Sequence, residues 1–84
     1  MRFSDHAIDR MRRRKVTEAE VRETLNNPDD MFLDVHTGYF VAVRKKDGKW
    51  LIVVFDREEI VTVVVTSKFK IVENRVKSGR WIRV

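Results

Sequence analysis

The sequence predicts an α+β fold in which two N-terminal helices pack on a four-stranded antiparallel sheet, a meander, followed by a short C-terminal helix. Three observations carry this. Apolar residues recur at helical spacing as far as Leu25, then at the period of two that strands require from Met31 onward. Two helix starts are marked by capping residues, at Ser4 and at Thr17-Glu18-Ala19-Glu20. Asp47-Gly48, the dipeptide of a two-residue hairpin turn, divides two runs rich in β-branched and aromatic residues.

The first helix, residues 5–14, is capped by Ser4, with Phe3 and Ile8 at the spacing of a hydrophobic staple and Ala7, Ile8 and Met11 on its buried side. The second, residues 18–26, opens with a capping box and a staple of Val16 and Val21, and buries Val21 and Leu25. It stops at Asn26-Asn27-Pro28, where proline opposes continuation. Strands are expected at 31–36, 39–44, 50–55 and 60–66, separated by Thr37-Gly38, Asp47-Gly48 and a charged turn at 56–59. A type I′ turn at Asp47-Gly48 pairs Lys46 with Lys49 and Lys45 with Trp50. Alternation then places Leu33, Ala42, Leu51 and Val53 on a first face, together with Arg44, Thr62 and Thr66. The second face carries Val41, Val43, Ile52, Val54, Val61, Val63 and Val65.

A helical hairpin covers only one face, and the uniformly β-branched second face is its expected floor. The first face then stays partly open as a groove lined by Arg44, Thr62 and Thr66, with the basic tail or a second subunit over the rest. In the tail, Phe69, Val72 and Val76 recur at helical spacing and Gly79 suits the position after a helix end, which predicts a third helix at 68–78. Trp81-Ile82-Arg83-Val84 either adds a short edge strand or lies on the sheet.

With 84 residues, 43% of them hydrophobic, three Gly and one Pro, the chain is expected to be a single folded domain over 1–84 and excludes a multidomain enzyme. The absence of Cys removes disulfides, thiolate zinc sites and Cys nucleophiles together. No apolar run reaches membrane-spanning length and no signal-peptide core is written, so a soluble cytoplasmic protein with no membrane attachment is expected. The net charge of +5 is unevenly placed: residues 67–84 hold six Lys or Arg against one acid, while the rest of the chain is balanced. Such clusters attract polyanions, nucleic acid before membrane. A second cluster, Arg10 with Arg12 to Lys15, becomes a patch only if the fold separates it from the flanking acids.

His6, Arg10 and Arg13 fall at i, i+4 and i+7 of the first helix, on one stripe roughly opposite Ile8 and Met11. An imidazole beside guanidiniums suits metal-free RNA cleavage: His6 moves a proton at neutral pH while Arg10 and Arg13 stabilise charge on a pentavalent phosphate. The plainer alternative is a solvated basic face with a cap-side histidine. In the tail, Lys68, Arg75, Lys77 and Arg80 are placed to contact phosphates, with Trp81 either stacking on a base or anchoring the C-terminus in the core. His6 and His36 lack zinc-site spacing, so no metal is expected. No Gly-rich phosphate loop or nucleophile elbow is present, and no cofactor is implied.

The run His6-Ala7-Ile8-Asp9-Arg10-Met11, then Arg14-Lys15-Val16-Thr17-Glu18-Ala19-Glu20-Val21 and Leu25-Asn26-Asn27-Pro28-Asp29, resembles an uncharacterised family of small microbial domains with a His-Ala-x-x-Arg-Met motif. That family looks related to RelE-like toxins and to the wider barnase, EndoU, colicin and RelE ribonuclease-like fold, in which helices cover one side of an antiparallel sheet and RNA binds the other. The resemblance implies that His6 and Arg10 are functional and marks Thr66, at the end of the last strand, as an active-site residue. Unlike RelE-like toxins, this chain has no Tyr after the fourth strand, so ribosome-dependent cleavage is not implied. Two functions therefore stand open. One is a metal-independent endoribonuclease of toxin type, with His6, Arg10 and Thr66 at the chemistry and Arg13, Arg44, Lys68, Arg75, Lys77, Arg80 and Trp81 on the RNA. The other is a non-catalytic module of a toxin–antitoxin-like system that binds nucleic acid, a cognate antitoxin protein or a second copy of itself.

Overall fold

The computed structural model describes residues 1–84. The elements are β1 (Arg2–Phe3), α1 (Asp5–Arg14), α2 (Glu18–Asn26), β2 (Asp30–Asp34), β3 (Phe40–Lys46), β4 (Lys49–Phe55), β5 (Glu59–Thr66), α3 (Lys70–Lys77) and β6 (Trp81–Arg83). The expected meander is present as β2 to β5, within a six-stranded mixed sheet of order β1-β5-β4-β3-β2-β6. β1 adds parallel to β5, and β6 adds antiparallel to β2. Two residues of β1 and three of β6 are too few to show a period of two, which is why no alternation announces them.

Both predicted helix starts hold. The Ala7 N–H donates to Ser4 Oγ at 3.0 Å, and Thr17 and Glu20 satisfy each other's backbone donors in a complete capping box. Thr17→Ala should therefore lose about 1 kcal/mol in urea denaturation, because Val21 still anchors α2 to the core. α1 ends at Lys15, whose φ of 57° lets the chain turn into α2. At the hairpin, Asp47 and Gly48 both take positive φ, and the register is Lys46 opposite Lys49 and Lys45 opposite Trp50, as the type I′ reading requires.

Three expectations are corrected. β2 stops at Asp34 instead of continuing to His36, because the Asp34 carboxylate accepts the N–H groups of His36 and Thr37 and closes a turn. α3 begins at Lys70 instead of 68: Thr66 Oγ1 accepts the Lys68 N–H in a turn, and Phe69 is the N-cap, its carbonyl accepting the Glu73 N–H and its ring packing on Trp50 at 4.4 Å between centroids. The helical hairpin also covers the other face of the sheet. Ala7, Met11 and Val21 pack on Leu51, Val53, Ile60 and Val63, on the first face. α3 and β6 bring Val72 and Trp81 onto Phe32, Val41, Val43 and Ile52, on the second.

A β-bulge explains part of this reversal. Ile60 stands opposite Phe55 but Thr62 stands opposite Val54, so Val61 is an extra residue on β5. Beyond it every β5 side chain changes face: Val63 and Val65 join Val53 and Leu51 under the hairpin, while Thr62, Val64 and Thr66 move to the second face. No helix is long and apolar enough to cross a membrane.

Candidate nucleic-acid interface

The residues expected to do chemistry are not gathered in one place. α1 starts against the Ile60 end of β5, where the Ser4 N–H donates to the Ile60 carbonyl and Ser4 Oγ to the Val61 carbonyl. Its last residues reach the Val65 end, where Arg14, Lys15 and Val16 line a cleft with Val65. His6, exposed on the first turn, thus lies near one end of β5, and Thr66 at the other, about 20 Å along the strand. Thr66 is moreover turned to the opposite face by the bulge. General acid–base partners must stand within hydrogen-bond reach of one reacting group, and His6 and Thr66 do not.

Several predicted contacts are engaged elsewhere. Arg13 pairs with Asp9 across one turn at 3.1 Å. Arg44 is a strut of the fold and not a groove-lining cation: it donates to Glu23 Oε1 at 3.2 Å and to the Asn27 carbonyl, tying β3 to the end of α2. Trp81 is a core anchor and offers no base-stacking face. It is 7% exposed, sits 5.6 Å from Phe32 between ring centroids, and donates its Nε1–H to Asp34. Arg80 holds the same carboxylate through Nε at 3.1 and 3.2 Å. Asp34 is consequently held below the usual carboxylate range: burial pulls the other way, but the hydrogen bonds from Arg80, the His36 N–H and Trp81 outweigh it. Arg10, half-buried on α1, has an Nε without a hydrogen-bond partner. Lys77 is exposed on α3, and Arg75 lies with Arg80, Tyr39 and Thr62 around a groove of about 300 Å³ on the second face.

What the fold assembles instead is a basic end, in which the cluster from Arg12 to Lys15 meets the β3–β4 hairpin, a junction the sequence does not announce. The C-terminus of α1, the β3–β4 hairpin and the end of β5 meet there. A cleft of about 310 Å³ is lined by Arg14, Lys15, Lys46 and Lys49, with Val16, Leu51 and Val65 as its apolar part. Its acids are Asp47 and Glu20, of which Glu20 is engaged. Glu20 accepts the Thr17 N–H, which together with the Thr17 hydroxyl and Lys46 holds its carboxyl below the ordinary value against the opposing effect of burial. Lys46 also lies 3.9 Å from Glu23. Round the rim, on the second face, Lys45 Nζ sits 5.7 Å from the Trp50 ring centroid, and Phe69 packs on Trp50. Thr66 stands opposite Trp50, and its Oγ1 accepts the Lys68 N–H at 3.1 Å. Of the predicted residues, then, Thr66 and Lys68 belong to this end. The signal for the rest was present as two runs, Arg12-Arg13-Arg14-Lys15 and Lys45-Lys46 with Lys49, separated by 29 residues of chain that only folding closes.

This arrangement can hold a polyanion. Cations from the end of α1 and from the β3–β4 hairpin face one cleft, and Lys45 and Lys68 stand round its rim. No group of His and carboxylate side chains is arranged to hold a metal. No solved structure matches the chain. It is similar to an uncharacterized protein of Archaeoglobus fulgidus, 62% identical over 24 residues that make up 29% of this chain and 89% of that protein. Residues 3–67 match the model of the family described as a domain of unknown function, DUF4258, and the chain belongs to that family.

Proposed function

We propose that the protein is a non-catalytic nucleic-acid-binding module that grips single-stranded RNA through its basic end. The observation that supports this best is the convergence of Arg14, Lys15 and Lys49 on one cleft, beside Lys45, Trp50, Thr66 and Lys68. Long cationic side chains neutralise successive phosphates there, as an extended single strand requires. The resemblance to RelE-like toxins favours RNA over DNA. The test is fluorescence anisotropy of a labelled single-stranded RNA, beside single-stranded and duplex DNA, over a salt series in EDTA. Affinity for the RNA should fall linearly on logarithmic axes with a slope of roughly −3, four or so phosphates at about 0.7 each. Absence of binding at low salt, or binding insensitive to salt, overturns the proposal.

A second reading, the metal-independent ribonuclease of toxin type, rests on a different observation. The groove on the second face collects the Tyr39 phenol and the Arg75 guanidinium over Thr62, on the side of the sheet away from α1 and α2. If RNA is cut in EDTA, that cleavage should survive His6→Ala and be lost in Tyr39→Phe or Arg75→Ala. Loss in His6→Ala alone would return the chemistry to α1.

A further inference from the structure

The register of β6 against β2 decides what this edge of the sheet offers. The Val84 N–H donates to the Met31 carbonyl at 3.0 Å, the Val35 N–H donates to the Arg80 carbonyl at 2.9 Å, and Ile82 stands opposite Leu33. In an antiparallel ladder alternate residues turn their backbone groups the same way. Ile82, Val84 and the Arg80 carbonyl are therefore directed at β2, and Trp81 and Arg83 turn their N–H and C=O outward. The opposite edge is blunted, because β1 is only two residues long and β5 is bent by the bulge at Val61.

Beside β6 the first face lacks cover. α1 and α2 lie over β4 and β5, and the side chains of the same face at the far edge stay open: Val35 is 47% exposed, Ile82 52% and Val84 65%. Met31 and Leu33 are half-buried next to them. The cations of this edge are already neutralised, Arg83 by Asp30 at 2.9 Å and Arg80 by Asp34. A chain of net charge +5 thus meets a second copy here with Arg80 and Arg83 of the edge itself already paired, and Lys77 of α3 next to Arg83.

We infer that a second copy of this chain occupies this edge, with β6 pairing antiparallel to β6 about a twofold axis at Ile82. The edge is self-complementary: Trp81 of each copy faces Arg83 of the other, so the outward N–H and C=O groups satisfy one another. Ile82 and Val84 of both copies then close the apolar patch. That patch is on the order of a few hundred Å² per copy. An interface of this size gives a weak, reversible dimer. The basic end takes no part in the contact.

Sedimentation equilibrium over a wide concentration range tests this. The wild type should show a reversible monomer–dimer equilibrium. Ile82→Lys, which sets two ammonium groups across the axis, should raise the dissociation constant at least tenfold while keeping the circular dichroism spectrum and the binding of single-stranded RNA per chain. Val35→Lys should act in the same direction, which covers the case in which Ile82→Lys does not fold. Ile71→Lys, at an exposed apolar position on α3 outside the patch, should dimerise as the wild type does. A wild type that is monomeric throughout, a dimer indifferent to both patch variants, or equal loss in Ile71→Lys overturns the inference. None of the three overturning results depends on whether RNA binds.

Discussion

Asp34→Ala should lower stability by about 2–4 kcal/mol, a little under the full cost of breaking a buried ion pair because Arg80 keeps 28% of its side-chain exposure. The carboxylate joins four parts of the chain. It accepts the His36 and Thr37 N–H groups that turn β2 toward β3, the Arg80 guanidinium that ends the α3 segment, and the Trp81 Nε1–H that fastens β6. Removing it leaves the indole N–H of a core residue unpaired and a guanidinium without its counter-ion. Urea denaturation of Asp34→Ala, Asp34→Asn and Trp81→Phe measures this. Trp81→Phe should cost less than Asp34→Ala, because it removes a donor and leaves the remaining bonds to Asp34 in place.

The same carboxylate sets an acid limit. Its folded pKa lies below the ordinary value, so its stabilisation is fully present above the unfolded pKa, about 3.9. That stabilisation is lost as pH falls through the lower, folded value. Stability of the wild type should accordingly decline below roughly pH 4, and Asp34→Asn should flatten that limb while lying lower at neutral pH. An acid limb unchanged in Asp34→Asn would assign the decline to other carboxylates.

The largest functional effect is expected from Lys15→Gln combined with Lys49→Gln. Affinity for single-stranded RNA should fall on the order of tenfold or more, and the salt slope should shrink by roughly 1.4, two phosphate contacts at about 0.7 each. Both side chains are exposed and neither forms an ion pair, so the fold should be unchanged within about 0.5 kcal/mol. Lys77→Gln, on exposed α3 away from the cleft, is the contrasting variant and should leave the affinity nearly intact. If Lys77→Gln weakens binding more than the double variant, the contact lies on the C-terminal tail, where net charge alone would place it.

Helix starts, the Asp47-Gly48 turn and the third helix were legible because each rests on contacts a few residues apart. Ser4 reaches Ala7, Thr17 reaches Glu20, and a two-residue turn with positive φ imposes its own register. The faces of β5 were not legible. Val61 looks like any other β-branched strand residue, and its place in a bulge depends on how β5 meets β4. One unpaired residue exchanges Val63 and Val65 for Thr62, Val64 and Thr66, and with them moves Thr66 off the face that His6 would have to share. The candidate site followed the same division: Lys68 and Thr66 were readable as residues of interest, but Lys15 and Lys49 owe their proximity to α1 lying along β5.

By itself the sequence determined the α+β class, the two capped helices, the hairpin register and the excess of positive charge, since these follow from local propensity, short-range hydrogen bonds and composition. Only the tertiary structure decided which face of the sheet the helical hairpin covers, that Trp81 and Arg80 close on Asp34, and that the cations of α1 and of the β3–β4 hairpin meet at one end. Both faces of the sheet are apolar enough to be buried, so alternation could not rank them. Their assignment rests on long-range packing, and charges far apart in sequence become a surface only when that packing brings their segments together.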